Sequence, residues 1–347
     1  MEQQPKHVRR ARYQGTHPRN FREKYKELNP GKYGEDVKKI IESGKTPAGM
    51  HISICVKEIL DFLQIRPGQI GLDATLGYGG HTQKMLECLR GSGRLYATDV
   101  DPIESEKTRA RLAGLGYGPE ILTILRMNFA DADKILPPGQ KFDFVLADLG
   151  VSSMQMDDPE RGFTFKYDGP LDLRMDPETG TPAAERLREL SQEEMREMLV
   201  ENADEPYAER IAGEICRTLH SGEISTTKQM AETVERALNF LPQKDRAAEV
   251  KKSCRRTFQA LRIDVNSEFE TLYTFMEKLP GILAPGGRAA VLTFHSGEDR
   301  LVKKAFQHFY REGAYSEITK DVIRPSAEEC YRNPRAHSAK MRWAVKA

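Results

Sequence analysis

The sequence predicts an α/β protein: a doubly wound, mostly parallel sheet with an inserted helical subdomain. Three observations predict it. Apolar runs alternate with helical segments between residues 69 and 148. Two of those runs end in an acid and a glycine-bearing loop, Asp148-Leu149-Gly150-Val151-Ser152-Ser153 and Asp73-Ala74-Thr75-Leu76-Gly77-Tyr78-Gly79-Gly80-His81. Open α/β sheets bind ligands at the carboxyl ends of their strands, so two such loops predict a cofactor beside a reacting group. Finally, the stretch between Asp148 and the next good strand at Arg288 exceeds what a crossover needs.

The elements follow in order. Residues 1–50 form an arm. Val56, Ile59, Leu60 and Leu63 recur at helical spacing, and Pro67-Gly68 ends that helix. Gln69–Thr75, Gly93–Asp99, Ile121–Met127 and Phe142–Asp148 read as strands one to four, with a helix beginning near His81. Helical segments follow over about 183–202, 204–220, 226–240 and 257–279. We expect the insertion to run from 155 to 255, with 257–279 returning as the crossover helix. The methyl-rich strand Arg288–Phe294 comes fifth after the turn Ala284-Pro285-Gly286-Gly287, then a helix over 298–312, then Lys340–Val345 as a last strand. The catalytic body is thus expected over 51–154 and 256–347.

Composition narrows the class. Hydrophobic residues make up 39% and charged residues 30% of 347, which suits a soluble globular protein. No apolar run is long enough for a membrane span, and no secretory signal opens the chain. Cys55, Cys88, Cys216, Cys254 and Cys330 lack metal-site spacing and read as reduced packing thiols of a cytoplasmic protein. No metal is expected, and no stable protein partner is inferred. The net charge of +1 hides an asymmetry: residues 1–50 carry twelve Lys/Arg against six Asp/Glu, the rest 41 against 46. The basic arm also carries Tyr13, Phe21, Tyr25 and Tyr33, a mixture that can follow phosphates and stack on bases.

The first loop is not the dinucleotide Gly-x-Gly-x-x-Gly, because no glycine falls three residues after Gly79. Gly77, Gly79 and Gly80 let the backbone approach a ligand, and Asp73 places a carboxylate beside it, which suits an ammonium and a sulfonium. Asp99 ends the second strand where ribose hydroxyls are bound, and Asp101 caps the following helix. Phe129 can edge an adenine ring. Arg161, Arg174, His295 and Arg300 are candidate RNA contacts, although Arg174 between Asp172 and Asp176 can equally be an internal ion pair. Ser296-x-x-Asp299 matches a capping box.

This spacing resembles a class I S-adenosylmethionine methyltransferase. The longer runs Gly79-Gly80-His81, Asp148–Asp158, Arg161–Phe165, Asp168–Asp176, Thr257–Asn266, Phe294–Arg300 and Asn333–Ala339 resemble the RsmH (MraW) family. The resemblance spans His51 to the C-terminus. The arm is longer than is usual there, and Met154, Gly297 and His337 stand where proline, leucine and arginine are usual. The resemblance implies a methyltransferase domain with a helical insertion, S-adenosylmethionine as cofactor, and methylation of a cytidine N4 in the decoding centre of 16S rRNA. It implies a cofactor site of Gly79, Gly80, His81, Asp99, Phe129, Asp148 and Gln155. The partner is then 16S rRNA or the small ribosomal subunit. N4 is a weak nucleophile, so alignment dominates, and Asp148 or backbone carbonyls near Gly150–Ser152 can accept its hydrogens, with His295 alongside. The target base must be splayed out of its stack. Two alternatives remain: a methyltransferase of this fold with another RNA position or substrate, and a silent ribosome-assembly factor.

Overall fold

The computed structural model describes residues 53–347. The N-terminal arm lies outside them. In chain order the elements are α1 (Val56–Leu63), β1 (Ile70–Asp73), α2 (Gly80–Leu89), β2 (Arg94–Asp99), α3 (Pro102–Gly114), β3 (Leu122–Arg126) and β4 (Phe142–Asp148). The helical stretch holds α4 (Ser153–Asp157), α5 (Ala183–Glu189), α6 (Gln192–Ala203), α7 (Ala208–Ser221), α8 (Thr227–Ala237) and α9 (Gln243–Asn266). The chain then returns through α10 (Glu268–Ile282), β5 (Leu283–Thr293), α11 (Ser296–Arg311), β6 (Tyr315–Ile318), α12 (Ala327–Arg332) and β7 (Lys340–Lys346).

The strands form one sheet in the order β3-β2-β1-β4-β5-β7-β6. The first five are parallel; β7 pairs antiparallel with both β5 and β6. Side chains alternate across a strand, so β4 feeds two cores. Phe144 and Leu146 face Met85, Leu86 and Leu89 of α2 and Ile59 and Leu63 of α1. Val145 and Ala147 face Leu272, Phe275, Met276 and Leu279 of α10 and Val302 and Phe306 of α11. Phe142 has the parity of Phe144 yet packs with the α10 cluster, because the β4–β5 register shifts between the two.

A third core is helical. Leu187, Met195, Leu199, Ile211, Ile215, Met230 and Val234 pack with Cys254, Phe258 and Leu261 of α9 and with Phe163, Leu171 and Leu173. The expected end of the insertion at 255 therefore falls inside α9, whose buried residues on both sides of it share one cluster. Two expected helices are each two. Ser191 interrupts 183–202 as an N-cap, trading hydrogen bonds with Glu194. Ser267 interrupts 257–279 at φ 47°, closing α9 before α10 begins. The sequence reading missed β6, whose four residues bury only Tyr315 fully and so show no alternation. The capping box of α11 starts one residue earlier than expected, at His295 with Glu298.

Candidate active site

The connections leave β1 and β4 in opposite directions, which opens a crevice at their carboxyl ends. The loop after β1 lines it. Gly79 sits at φ 75°, and a Cβ there would lie 2.7 Å from Thr108 Cγ2. At Gly80 a Cβ would meet Ser53 Oγ at 2.0 Å. The loop is thus pressed against α3 and the segment before α1; at Gly79 the positive φ and the close approach together favour glycine, and at Gly80 a side chain would require Ser53 to turn away. The amide of Gly77 donates to Asp99 Oδ2 (2.8 Å), and that of Asp101 donates to Asp99 Oδ1 (2.8 Å). Each oxygen keeps a lone pair for a further donor. Burial pushes the Asp99 carboxyl up to about 6, against those two amides. Asp73, 1% exposed, accepts from Thr82 Oγ1 (2.6 Å) and the Thr75 amide (3.2 Å). Burial likewise pushes it up to about 6.

Asp148 closes β4. Its amide donates to Thr75 Oγ1 (2.6 Å), its Oδ2 lies 3.3 Å from His81 Nδ1, and its Oδ1 is buried with no hydrogen-bond partner among the described residues. The other nitrogen of His81, Nε2, lies 2.9 Å from the Ile54 carbonyl. A carbonyl only accepts, so Nε2 carries a proton, and Nδ1 then faces a carboxylate. With both ring nitrogens facing acceptors, the geometry favours the protonated ring. Burial opposes that charge, but the hydrogen bond and charge of Asp148, with Asp73 and Ile54, raise the ring above its ordinary 6.5. The open Oδ1 is a built acceptor, suited to a cationic or N–H-bearing ligand.

Several expected site residues have other work. Asp101 is fully buried; its Oδ1 caps α3, and its Oδ2 receives Gln155 Nε2 and Arg161 NH1, each at 2.7 Å. Arg161 also donates to the carbonyls of Arg174 (3.2 Å) and Met175 (2.8 Å). Its guanidinium is consumed inside the protein, so the expectation of an RNA contact is corrected. Arg174 takes the internal ion pair that was one of its two expected readings: Nε and Nη2 form a fork on Asp172 at 2.8 and 2.7 Å. Ser152 is the N-cap of α4 and accepts from the Gln155 amide at 3.2 Å. Gln155 Oε1 accepts from the Ser152 amide (2.8 Å), so both ends of the Gln155 amide are engaged.

Phe129 meets Phe275 edge-on at 5.2 Å. His295 is folded back on Glu298: its Nδ1 accepts from the Glu298 amide (3.4 Å), and its Nε2 lies 3.2 Å from Glu298 Oε1. Glu268 joins them within 4.8 Å, but the Arg262 fork on Glu268 (2.7 and 2.9 Å) already supplies a counter-charge. Arg300 is exposed, 3.5 Å from Asp204.

Sequence reasoning missed the hub at Asp101, which it read only as a helix cap. The available signal was Arg161 itself, which needs a counter-ion if buried. Leu173, fully buried at φ 64°, was invisible to pattern. Its carbonyl accepts from Asn266 Nδ2 (2.8 Å) and its amide donates to the Arg161 carbonyl (3.2 Å), which hold the strained backbone in place.

Comparison with known proteins agrees in extent. The model of the MraW methylase family matches residues 48–347. The chain is 62% identical to "Ribosomal RNA small subunit methyltransferase H 1" of Lachnoclostridium phytofermentans, over 99% of this chain and 94% of that one. It is 61% identical to the protein of the same name from Agathobacter rectalis, over 100% of both chains. "Ribosomal RNA small subunit methyltransferase H" of Thioalkalivibrio sulfidiphilus is 41% identical, over 87% of this chain and 98% of that one.

Proposed function

The chain belongs to the MraW methylase family, and from that premise we propose that it methylates the N4 amine of a cytidine in 16S rRNA. S-adenosylmethionine is the cofactor and supplies an electrophilic methyl on a sulfonium. The residues present fit it. Asp99 offers free lone pairs for ribose hydroxyls, and Phe129 sits just past β3 where an adenine edge would lie. Asp73, Gly77, Gly79, Gly80 and His81 surround the remainder of the cradle, with Gln155 tying its far wall to Asp101. The observation that carries the reading is Asp148: one carboxylate oxygen is held against His81, and the other is buried and open.

The chemistry asked of the chain is mostly alignment. The amine of cytosine is delocalised into the ring, so an acceptor on its N–H favours pyramidal geometry and gives the proton an exit. Asp148 is that acceptor in our reading, with the carbonyls of Gly150 and Val151 beside it. His81 holds Asp148 in place. The cytidine must leave its stack to reach the crevice. We place it in the decoding centre of the small subunit, and the enzyme in the cytoplasm; among the described residues no helix is long and apolar enough to cross a membrane. In the same reading the sheet and the helices on its two faces bind cofactor, and the helical insertion, which runs through α9 to Asn266, faces RNA.

Calorimetry tests the cofactor site. Wild-type protein binds S-adenosylmethionine, and Asp99→Ala loses charge-assisted hydrogen bonds worth about 1.5–3 kcal/mol each. Unchanged affinity in a folded Asp99→Ala protein removes Asp99 from the site.

A further inference from the structure

In the helices between Ala183 and Asn266, nearly every lysine and arginine has a partner. Arg186 reaches Asp264, Arg188 reaches Glu223, Arg196 reaches Glu193, Arg217 and Arg236 reach Glu214, and Lys228 reaches Glu232. Arg210 lies over the Phe240 ring. Arg246 donates to backbone carbonyls, Lys252 pairs with Glu249, Arg256 lies near Glu205, and Arg262 grips Glu268. Lys244, Lys251 and Arg255 are the exceptions. All three are exposed, and none has an ion pair or side-chain hydrogen bond among the described residues.

They lie on one helix, α9, at i, i+7 and i+11. With 3.6 residues per turn that spacing puts them within an arc of about 40°. Exposed Ala248 falls on the same face at i+4 and leaves it low and open. The opposite face buries Ser253, Thr257 and Ala260. Lys244 stands in the first turn, where the helix dipole disfavours a cation, so helix stability does not account for it. The C-terminal end of α9 is fastened to the Leu173–Met175 segment, which Arg161 ties to Asp101: Asn266 accepts from the Met175 amide (2.7 Å) and donates to the Leu173 carbonyl (2.8 Å). At a rise of about 1.5 Å per residue, Arg255 stands about 16 Å up the helix from Asn266, and Lys244 about 33 Å.

We propose that this face of α9 is a docking track for the phosphate backbone of the RNA substrate. Unpaired cations at intervals along a rigid rod are what a polyanion requires, and pairing would have silenced them. The face carries no aromatic or amide side chain between Lys244 and Arg255, so its contribution is affinity and register, with selection of the nucleotide left to the crevice. The inference rests on the RNA-substrate reading above.

The test is a full-length protein with Lys244→Gln, Lys251→Gln and Arg255→Gln, compared with wild type for binding a 16S rRNA transcript across a salt series. The variant should melt at the wild-type temperature and bind S-adenosylmethionine equally. Its RNA affinity should fall about tenfold near 0.1 M salt. The slope of log affinity against log salt should become shallower by about 0.7–0.9 per lost contact, or about 2–3 in all. KM for RNA should rise while kcat at saturating RNA holds. Ala248→Glu should weaken binding further without unfolding the helix. Equal affinities and equal slopes in variant and wild type overturn the track and leave the substrate reading intact. A wild type that binds no RNA overturns both.

Discussion

At the residue scale the site is a set of buried charges whose states are interlocked. His81 has acceptors at both ring nitrogens, an arrangement that favours its protonated form. NMR should find the His81 ring titrating above 6.5, and Asp148→Asn should bring that value down. The contribution of this pair to stability is full below about 6.5 and is lost as pH climbs through the elevated folded value. A ring that is neutral at pH 6.5 in the wild type would contradict the assignment. Asp73 and Asp99 behave oppositely, because burial pushes both up to about 6 from an ordinary 3.8. The folded protein holds their protons longer than the unfolded chain, so ionising them costs stability as pH rises from 3.8 towards 6. A cationic cofactor with hydroxyl donors favours the carboxylates. Cofactor affinity should therefore increase from about pH 5 to about pH 7, with proton release on binding. Calorimetry in buffers of differing ionisation enthalpy reads this directly; a flat pH profile with no proton release would remove both acids from the binding site.

At the element scale, what was legible follows from what each element buries. β1 to β4 were readable because a parallel strand covered on both faces is a continuous apolar run, and β4 came out to the residue. The positions of Asp99 and Asp148 at strand ends came with it. The break at Ser267 is one residue inside a long helical pattern and was not readable, whereas the break at Leu190-Ser191 carried a signal, the Ser191-x-x-Glu194 capping box, that the helical periodicity masked. Arg161, Arg174 and Ser152 were only partly legible: the ion pair of Arg174 with a flanking acid was one of its two expected readings, whereas the internal bonds of Arg161 and Ser152 were not foreseen. Motif spacing marks a residue as important without saying whether it faces solvent, and all three are tied to their own neighbourhood. Arg161 shows the consequence. Its guanidinium and the Asp101 carboxylate are 9% and 0% exposed, and the ion pair joins the α4 region to the start of α3. Arg161→Met leaves Asp101 buried and short of a counter-charge, which should destabilise the protein by about 3–5 kcal/mol. Urea unfolding measures this. Unchanged stability with weakened RNA binding would restore Arg161 to the substrate surface.

At the scale of the whole molecule, charge is divided between regions. The arm over residues 1–50 carries an excess of six positive charges, and the rest an excess of five negative ones. The family model begins at residue 48, yet the Agathobacter relative aligns along 100% of both chains, so the arm has a counterpart there. Removing residues 1–46 should leave cofactor affinity unchanged, weaken RNA binding and flatten its salt dependence by about 0.7–0.9 per lost phosphate contact. Equal salt slopes with a lowered melting temperature would instead assign the arm to packing on the body. The central claim is that the crevice between β1 and β4 delivers a methyl group to a cytidine N4 with Asp148 at its focus. Mass analysis of 16S rRNA nucleosides tests it most directly, in cells lacking the gene and in the same cells carrying wild type or Asp148→Ala. N4-methylation of one cytidine should be lost on deletion, restored by wild type and not restored by folded Asp148→Ala. Unaltered cytidine methylation on deletion, or full restoration by Asp148→Ala, would contradict it.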